Sequence, residues 1–255
     1  MVALIPARAG SKRVKGKNAR ILSGAPMIAY TIAAAKQSGM FTEIWVCSDD
    51  FGLFQTTLCG GAKFWPRSPV PDGQADIEWV REFFRLTPRD VKPEAFAILR
   101  PTSPFRTAET IRRAYAQFCE MNDCADSIRA VEVAEETPYK MWVSTGPKGY
   151  EKAYPIKPLL DGQHPDGTPY HSSPTQSLPT VYVQTSALEM AWTRCVEVHG
   201  TISGRKIAPF FGSPIEFISI DTEDDWAAAE FLARERPYLL PPVDVARLPA
   251  HPTTQ

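Results

Sequence analysis

The sequence has no GxGxxG turn and no GxxxxGK[ST] loop, so neither the dinucleotide fingerprint nor the P-loop is available to it. It has no CxxC pair, and its five cysteines are scattered, an odd number that excludes a complete disulfide framework and a zinc knuckle. Only four histidines occur, none at HxxxH spacing, so surface or loop histidines are favoured over a zinc site. There is no GxSxG elbow and no Cys/His dyad. Neither sign of charge dominates: 28 basic against 29 acidic residues give a net charge of −1, which removes the broad attraction that nucleic-acid-binding proteins show. No nucleic-acid partner is expected. The longest apolar stretches fall well short of a bilayer span, and the N-terminal one is too short for a signal peptide, so no membrane association is expected and reduced cysteines in a cytoplasmic setting are.

What the chain does have is an alternation of strand and helix patterns through its first half, the pattern that builds a mostly parallel sheet covered on both faces. Val2–Pro6 reads as a strand apolar on both faces, and a helix follows from Pro26 to Gly39. Further strands are expected at Glu43–Cys47, Ala62–Trp65 and Ala95–Leu99, with helices over 52–58 and 75–86 and one capped by Thr107. Strand character returns at 181–191 and 216–220, and Thr222-Glu223-Asp224-Asp225 has the spacing of a capping box for a last helix that stops at Pro237. The reading is one domain over 1–236 with an irregular insertion at about 139–191, and a tail over 237–255 on the surface or mobile.

Three strands end in polar loops, and in open α/β sheets such loops converge on one ligand site. The first strand runs into ARAGSKRVKGKN, where Gly10 and Gly16 let backbone approach a phosphate and the lysines and arginines neutralise it. A solvated basic loop is the plain alternative; the position directly after the first strand favours an anion.

LIPARAGSK at 4–12 with Lys17-Asn18, RPTSPFR at 100–106, Pro138-Tyr139-Lys140 and Ile220-Asp221-Thr222-Glu223-Asp224-Asp225, in that order, resemble the motifs of the acylneuraminate cytidylyltransferase family, which makes CMP-activated sugar acids. The resemblance implies a three-layer nucleotidyltransferase, Rossmann-like α/β fold, a homodimer formed through a small insertion, CTP and a sugar acid as substrates, and Mg²⁺ as cofactor. It implies Arg8, Ser11, Lys12, Lys17, Asn18 and Arg67 at the nucleotide, with Arg8, Lys17 and Asp221 catalytic and Asp221 the metal ligand. Arg100, Thr102, Ser103, Arg106, Lys140 and Gln184 fall at the sugar acid. Arg13 and Lys15 read as plain solvated charges.

The chain departs from that family at several positions. Arg100 stands where a glutamine is usual, Ser219 where a second aspartate is usual, Thr175 where an arginine is usual, and Val183-Gln184-Thr185-Ser186 where Arg-Pro-Asn-Gly is usual. A nonulosonic acid other than N-acetylneuraminate therefore fits better as acceptor. A homologue that binds nucleotide without catalysis, or one that uses another sugar or nucleotide, stays open.

Overall fold

The computed structural model describes residues 1–10, 13–68, 75–88 and 92–249. In chain order the elements are β1 (Val2–Ala7), β2 (Ile21–Leu22), β3 (Ala25–Pro26), α1 (Met27–Ser38), β4 (Glu43–Ser48), α2 (Phe54–Gly60), β5 (Lys63–Pro66), α3 (Ile77–Leu86), β6 (Ala95–Ile98), α4 (Ala108–Glu120) and β7 (Ser127–Val133). There follow β8 (Trp142–Ser144), β9 (Ile156–Pro158), β10 (Tyr182–Trp192), α5 (Arg194–Glu197), β11 (Ile207–Phe211) and α6 (Glu223–Glu235).

Seven strands form one sheet in the order β11-β7-β10-β6-β1-β4-β5. β1 lies at its centre, parallel to β4 on one side and β6 on the other, and β5 continues the parallel set; β10 is antiparallel to β6. A mostly parallel mixed α/β sheet results, as the alternating sequence pattern requires.

Period-two alternation explains the layers. Ala3, Ile5 and Ala7 of β1 and Ala95, Ala97 and Leu99 from β6 and its end face one side, where Ile28 and Ile32 of α1 and Ile111, Ala114 and Phe118 of α4 cover them. Val2 and Leu4, with Phe96 and Ile98, face the other side against Trp79, Val80, Phe83 and Phe84 of α3. α1 is buried on nearly every side, because its outer face meets a third cluster built around Trp226 of α6. Gly39 ends α1 in the left-handed conformation, where its amide bonds the Lys36 carbonyl.

Two expectations change. Residues 216–220 are not a strand: the chain turns at Pro214–Phe217 through bonds to its own carbonyls, and β11 occupies the sheet edge instead. The stretch 237–249, expected as a tail, lies on the body of the fold. Leu240 is buried, and Leu239, Val243 and Leu248 pack against the third cluster, with Gln37 donating to the Pro242 carbonyl at 2.7 Å.

The chain divides into two compact units, residues 1–130 with 185–255, and residues 131–184. The second is built on the β8–β9 hairpin and a cluster of rings, Tyr139 against Tyr170, His164 against Tyr170 and Trp142 against His171.

Candidate active site

The carboxyl ends of β1, β5 and β6 open onto a cavity of about 270 Å³, all of whose lining residues belong to the larger unit. Its wall carries Arg8, Arg13, Lys17 and Arg67, with Asn18, Asp76, Trp79, Arg100, Thr102 and Asp221. Five cations against two carboxylates around so small a space make it a site for an anionic ligand.

The loop after β1 is held by its backbone. Asp49, at the end of β4, accepts from the Ala9 amide at 2.8 Å, and Ser48 donates to the Ala7 carbonyl. Gly16 adopts a φ of 59°, and its carbonyl receives the amides of Ala19 and Arg20, both at 2.9 Å. Asn18 is buried; its side chain donates to the Arg8 carbonyl at 3.3 Å while its own carbonyl accepts from Ile28. Asn18 thus fixes the backbone that presents Arg8. Ser11 and Lys12 lie outside the described residues.

Lys17 ties this loop to the other end of the chain. Its ammonium donates to the Ile220 carbonyl at 2.6 Å and to Asp221 Oδ1 at 3.2 Å, and its side chain is only 11% exposed. Asp221 Oδ2 accepts from Ser219 Oγ at 2.8 Å. Ser219 meets Ser186 at 3.0 Å, and Ser186 meets Thr102 at 3.2 Å, so a row of hydroxyls runs from the cavity wall to the carboxylate. The Asp221 amide donates to Asp225 Oδ2, which also closes the capping box with Thr222 at the start of α6. Burial raises the Asp221 pKa, but the Ser219 hydrogen bond and the Lys17 charge outweigh it and hold the carboxyl below its usual value. Arg13 approaches the same carboxylate at 3.6 Å and lines the cavity, with its side chain 72% exposed.

Arg67 is buried, with its guanidinium 5.7 Å from the Trp79 ring centre; burial lowers its pKa and Asp49 partly restores it. Arg100 is already engaged: its Nη2 donates to Asp76 at 2.6 Å and to Glu189 at 2.9 Å. Asp76 and Trp79, which sequence reasoning passed over as the start of an ordinary helix, are both cavity residues joined by an indole-to-carboxylate bond of 2.9 Å. The Asp-x-x-Trp spacing, one helical turn, was the available signal.

Arg106 and Ser103 are not cavity groups. Both are fully buried; Arg106 donates to the carbonyls of Arg100 and Ala187 and to Thr31, and so bolts the RPTSPFR turn to β10 and α1. Burial pulls its pKa down to about 9, which keeps it charged at neutral pH. Arg100, Pro101 and Thr102 are the members of that turn that line the cavity, and the Thr102 carbonyl receives the Ile220 amide at 2.8 Å. Lys140 and Gln184 are exposed residues of the smaller unit.

Among the described residues no group of three or more His, Cys, Asp or Glu side chains is placed to hold a metal ion. Asp221 is the one carboxylate in contact with Lys17 and Ser219 in the cavity wall. A hard cation of the Mg²⁺ kind takes one or two carboxylates and completes its shell with phosphate oxygens and water.

Residues 2–146 match the protein family described as Cytidylyltransferase. The chain is 44% identical over 118 residues to a CMP-N,N'-diacetyllegionaminic acid synthase of Legionella pneumophila, a match that covers 45% of this chain and 51% of that protein. It is 36% identical over 132 residues to an N-acylneuraminate cytidylyltransferase of Escherichia coli, covering 50% of this chain and 31% of that protein. The matched span is thus about half, or less, of the length of these relatives. Among solved structures, a CMP:2-keto-3-deoxy-manno-octonic acid synthetase complexed with CTP shares the fold, with a TM-score of 0.64 at 15% identity over 92% of this chain and 98% of that one. With its motif loops drawn together around one cationic cavity, the chain belongs to the cytidylyltransferase family.

Proposed function

We propose that the protein transfers CMP from CTP to a hydroxyl of a nonulosonic-type sugar acid and releases pyrophosphate. The observation that carries this reading is the cavity that Arg8, Arg13, Lys17 and Arg67 line together with Asp221 and Thr102. The names of the relatives, a legionaminic acid synthase and an acylneuraminate cytidylyltransferase, supply the acceptor class.

The acceptor oxygen attacks the α-phosphorus, the bond to the bridging oxygen breaks, and pyrophosphate leaves with that electron pair while the hydroxyl proton passes to solvent. Such a step depends on position and charge neutralisation more than on a covalent nucleophile. Arg8 and Arg13 neutralise the phosphates, and Asn18 keeps Arg8 in place. Lys17, relieved of Asp221 when the nucleotide enters, follows the charge that develops on the leaving group. Asp221 would hold a Mg²⁺ ion, which would supply Lewis-acid neutralisation of the same charge. Thr102 lines the acceptor side of the cavity.

A homodimer formed through residues 131–184 is part of the proposal. This unit exposes Trp142, Tyr150, Tyr154, Ile156, Leu159 and Tyr182, an apolar complement that a second copy would cover. No helix among the described residues is long and apolar enough to cross a membrane, and a cytoplasmic site of action, where CTP is made, accords with that.

The test is pyrophosphate release from the purified chain with CTP and Mg²⁺ across N,N'-diacetyllegionaminic, N-acetylneuraminic and 2-keto-3-deoxy-manno-octonic acids, with UTP, ATP and GTP as controls. Release with CTP and one acid is expected. CTP binding without release from any acid would leave a nucleotide-binding homologue, and release with another nucleotide would overturn the choice of CTP.

A further inference from the structure

Arg100 stands where relatives of the resembled family carry an amide, and its partners are distributed unevenly. Nη2 holds two carboxylates, Asp76 Oδ2 at 2.6 Å and Glu189 Oε1 at 2.9 Å, whereas Nη1 is buried with no hydrogen-bond partner. A guanidinium is a planar fork that a single carboxylate engages best through two parallel bonds. Two like charges on one nitrogen also repel each other.

The two carboxylates are not held equally. Glu189 is on β10, its side chain 8% exposed, and its other oxygen is taken by Arg129, so it has two cations and a buried seat. Asp76 lines the cavity, is 35% exposed, and among the described residues its side chain is bonded besides Arg100 to the Trp79 indole, with the Arg67 charge also acting on it. It stands at the N-terminus of α3 without a side-chain cap bond, so the helix holds it only through the Trp79 indole and the dipole. Glu189 is the permanent counter-ion and Asp76 the removable one.

We infer that Asp76 is a built-in competitor for Arg100, displaced by the carboxylate of the acceptor, and that this exchange selects acidic acceptors over neutral ones. The inference rests on the proposed transfer to a sugar acid and adds the group that recognises the acid. With Asp76 displaced, the acceptor carboxylate takes Nη2 and brings the idle Nη1 into use, and the Trp79 indole loses its partner. A neutral sugar gains too little to displace an ion-paired carboxylate and is rejected.

The experiment titrates the full chain, saturated with CDP so that no transfer occurs, with the sodium salts of N,N'-diacetyllegionaminic and N-acetylneuraminic acids and with their methyl esters, by calorimetry. Asp76→Asn should tighten binding of the acid about tenfold, the fraction by which a closed state weakens a ligand, and leave the ester nearly unchanged. Arg100→Gln should bring acid and ester to similar affinity, and adding Asp76→Asn to it should then change nothing. Tryptophan fluorescence should shift with acid and not with ester, and the shift should vanish in Trp79→Phe. A structural role for the Asp76–Arg100 pair would alter melting temperature without moving the acid-to-ester ratio.

An unchanged ratio in Asp76→Asn overturns the inference, even if Arg100→Gln fails to fold. So does absence of acid binding to both wild type and Asp76→Asn while CDP still binds. Pyrophosphate release by the wild-type chain reports the proposed transfer separately, so transfer with an unchanged ratio would remove Asp76's role and leave the activity standing.

Discussion

Asp225→Ala tests how the last helix supports Asp221. The Asp225 carboxylate accepts the Asp221 amide at 2.9 Å and the Thr222 amide at 2.8 Å, and it lies in the first turn of α6, where the helix dipole favours negative charge. Each partly exposed cap bond is worth about 1 kcal/mol, and the dipole adds roughly 0.3–1 kcal/mol. The loss is therefore about 2–3 kcal/mol, or roughly 4–12 °C in melting temperature for a chain of this size. Thr222→Ala removes only the hydroxyl that receives the Asp225 amide at 3.1 Å and should cost about half as much. The Asp225 pKa is held down, first by the Asp221 backbone amide, so its contribution is complete above the carboxylate's unfolded pKa and is lost as pH falls through the lower folded value. The gap between wild type and Asp225→Ala, read by thermal melting, should accordingly narrow below about pH 4. Because Asp221 loses its backbone tether, CTP-dependent protection against melting should shrink in Asp225→Ala more than in Thr222→Ala. Equal melting temperatures for wild type and Asp225→Ala, or a gap that widens on acidification, would refute the reasoning.

Arg8→Ala, whose side chain is exposed on the cavity, should lower turnover by about a hundredfold with melting unchanged, read by pyrophosphate release. Lys17→Ala should lower both turnover and melting temperature, the latter by roughly 2–6 °C, because two bonds to residues 220 and 221 are lost; melting equal to Arg8→Ala would count against the anchoring role. Asp221→Asn should remove the Mg²⁺ dependence of nucleotide binding measured by calorimetry, and an unchanged Mg²⁺ response would leave Asp221 without a cation to hold. Arg106→Lys should destabilise the fold while leaving the KM for an accepted sugar acid within about twofold of wild type in the surviving protein.

The parallel core was legible because each of its elements carries its own signal: an apolar strand, a capped helix, a polar loop at the strand's end. Thr107 and Thr222 announce their helices by hydrogen-bond chemistry that spans four residues, and the structure has both capping boxes. What failed was long-range. Nothing near residue 216 in sequence reveals that β11 takes the sheet edge, and nothing near residue 240 says that its leucine meets Trp226. The site divided in the same way. Arg8, Lys17 and Asp221 come from motif positions, whereas the interior position of Arg106 depends on carbonyls of residues 100 and 187 that only the folded chain brings together. Asp76 escaped because a carboxylate ahead of a helix has an ordinary explanation as a cap, one that its actual bonds to Trp79 and Arg100 replace.

The Lys17–Asp221 link closes a loop over nearly the whole chain. A nascent chain that has displayed every residue from 2 to 146 still lacks Asp221, Ser219, Ser186 and the strand that receives Arg106. The cationic loop must therefore wait on the ribosome without its counter-charge, exposed to any polyphosphate in its surroundings. Contacts so distant in sequence form late and slowly. A chain cut before residue 221 therefore carries the segment that matches the family without Asp221, Ser219 or the strand that receives Arg106.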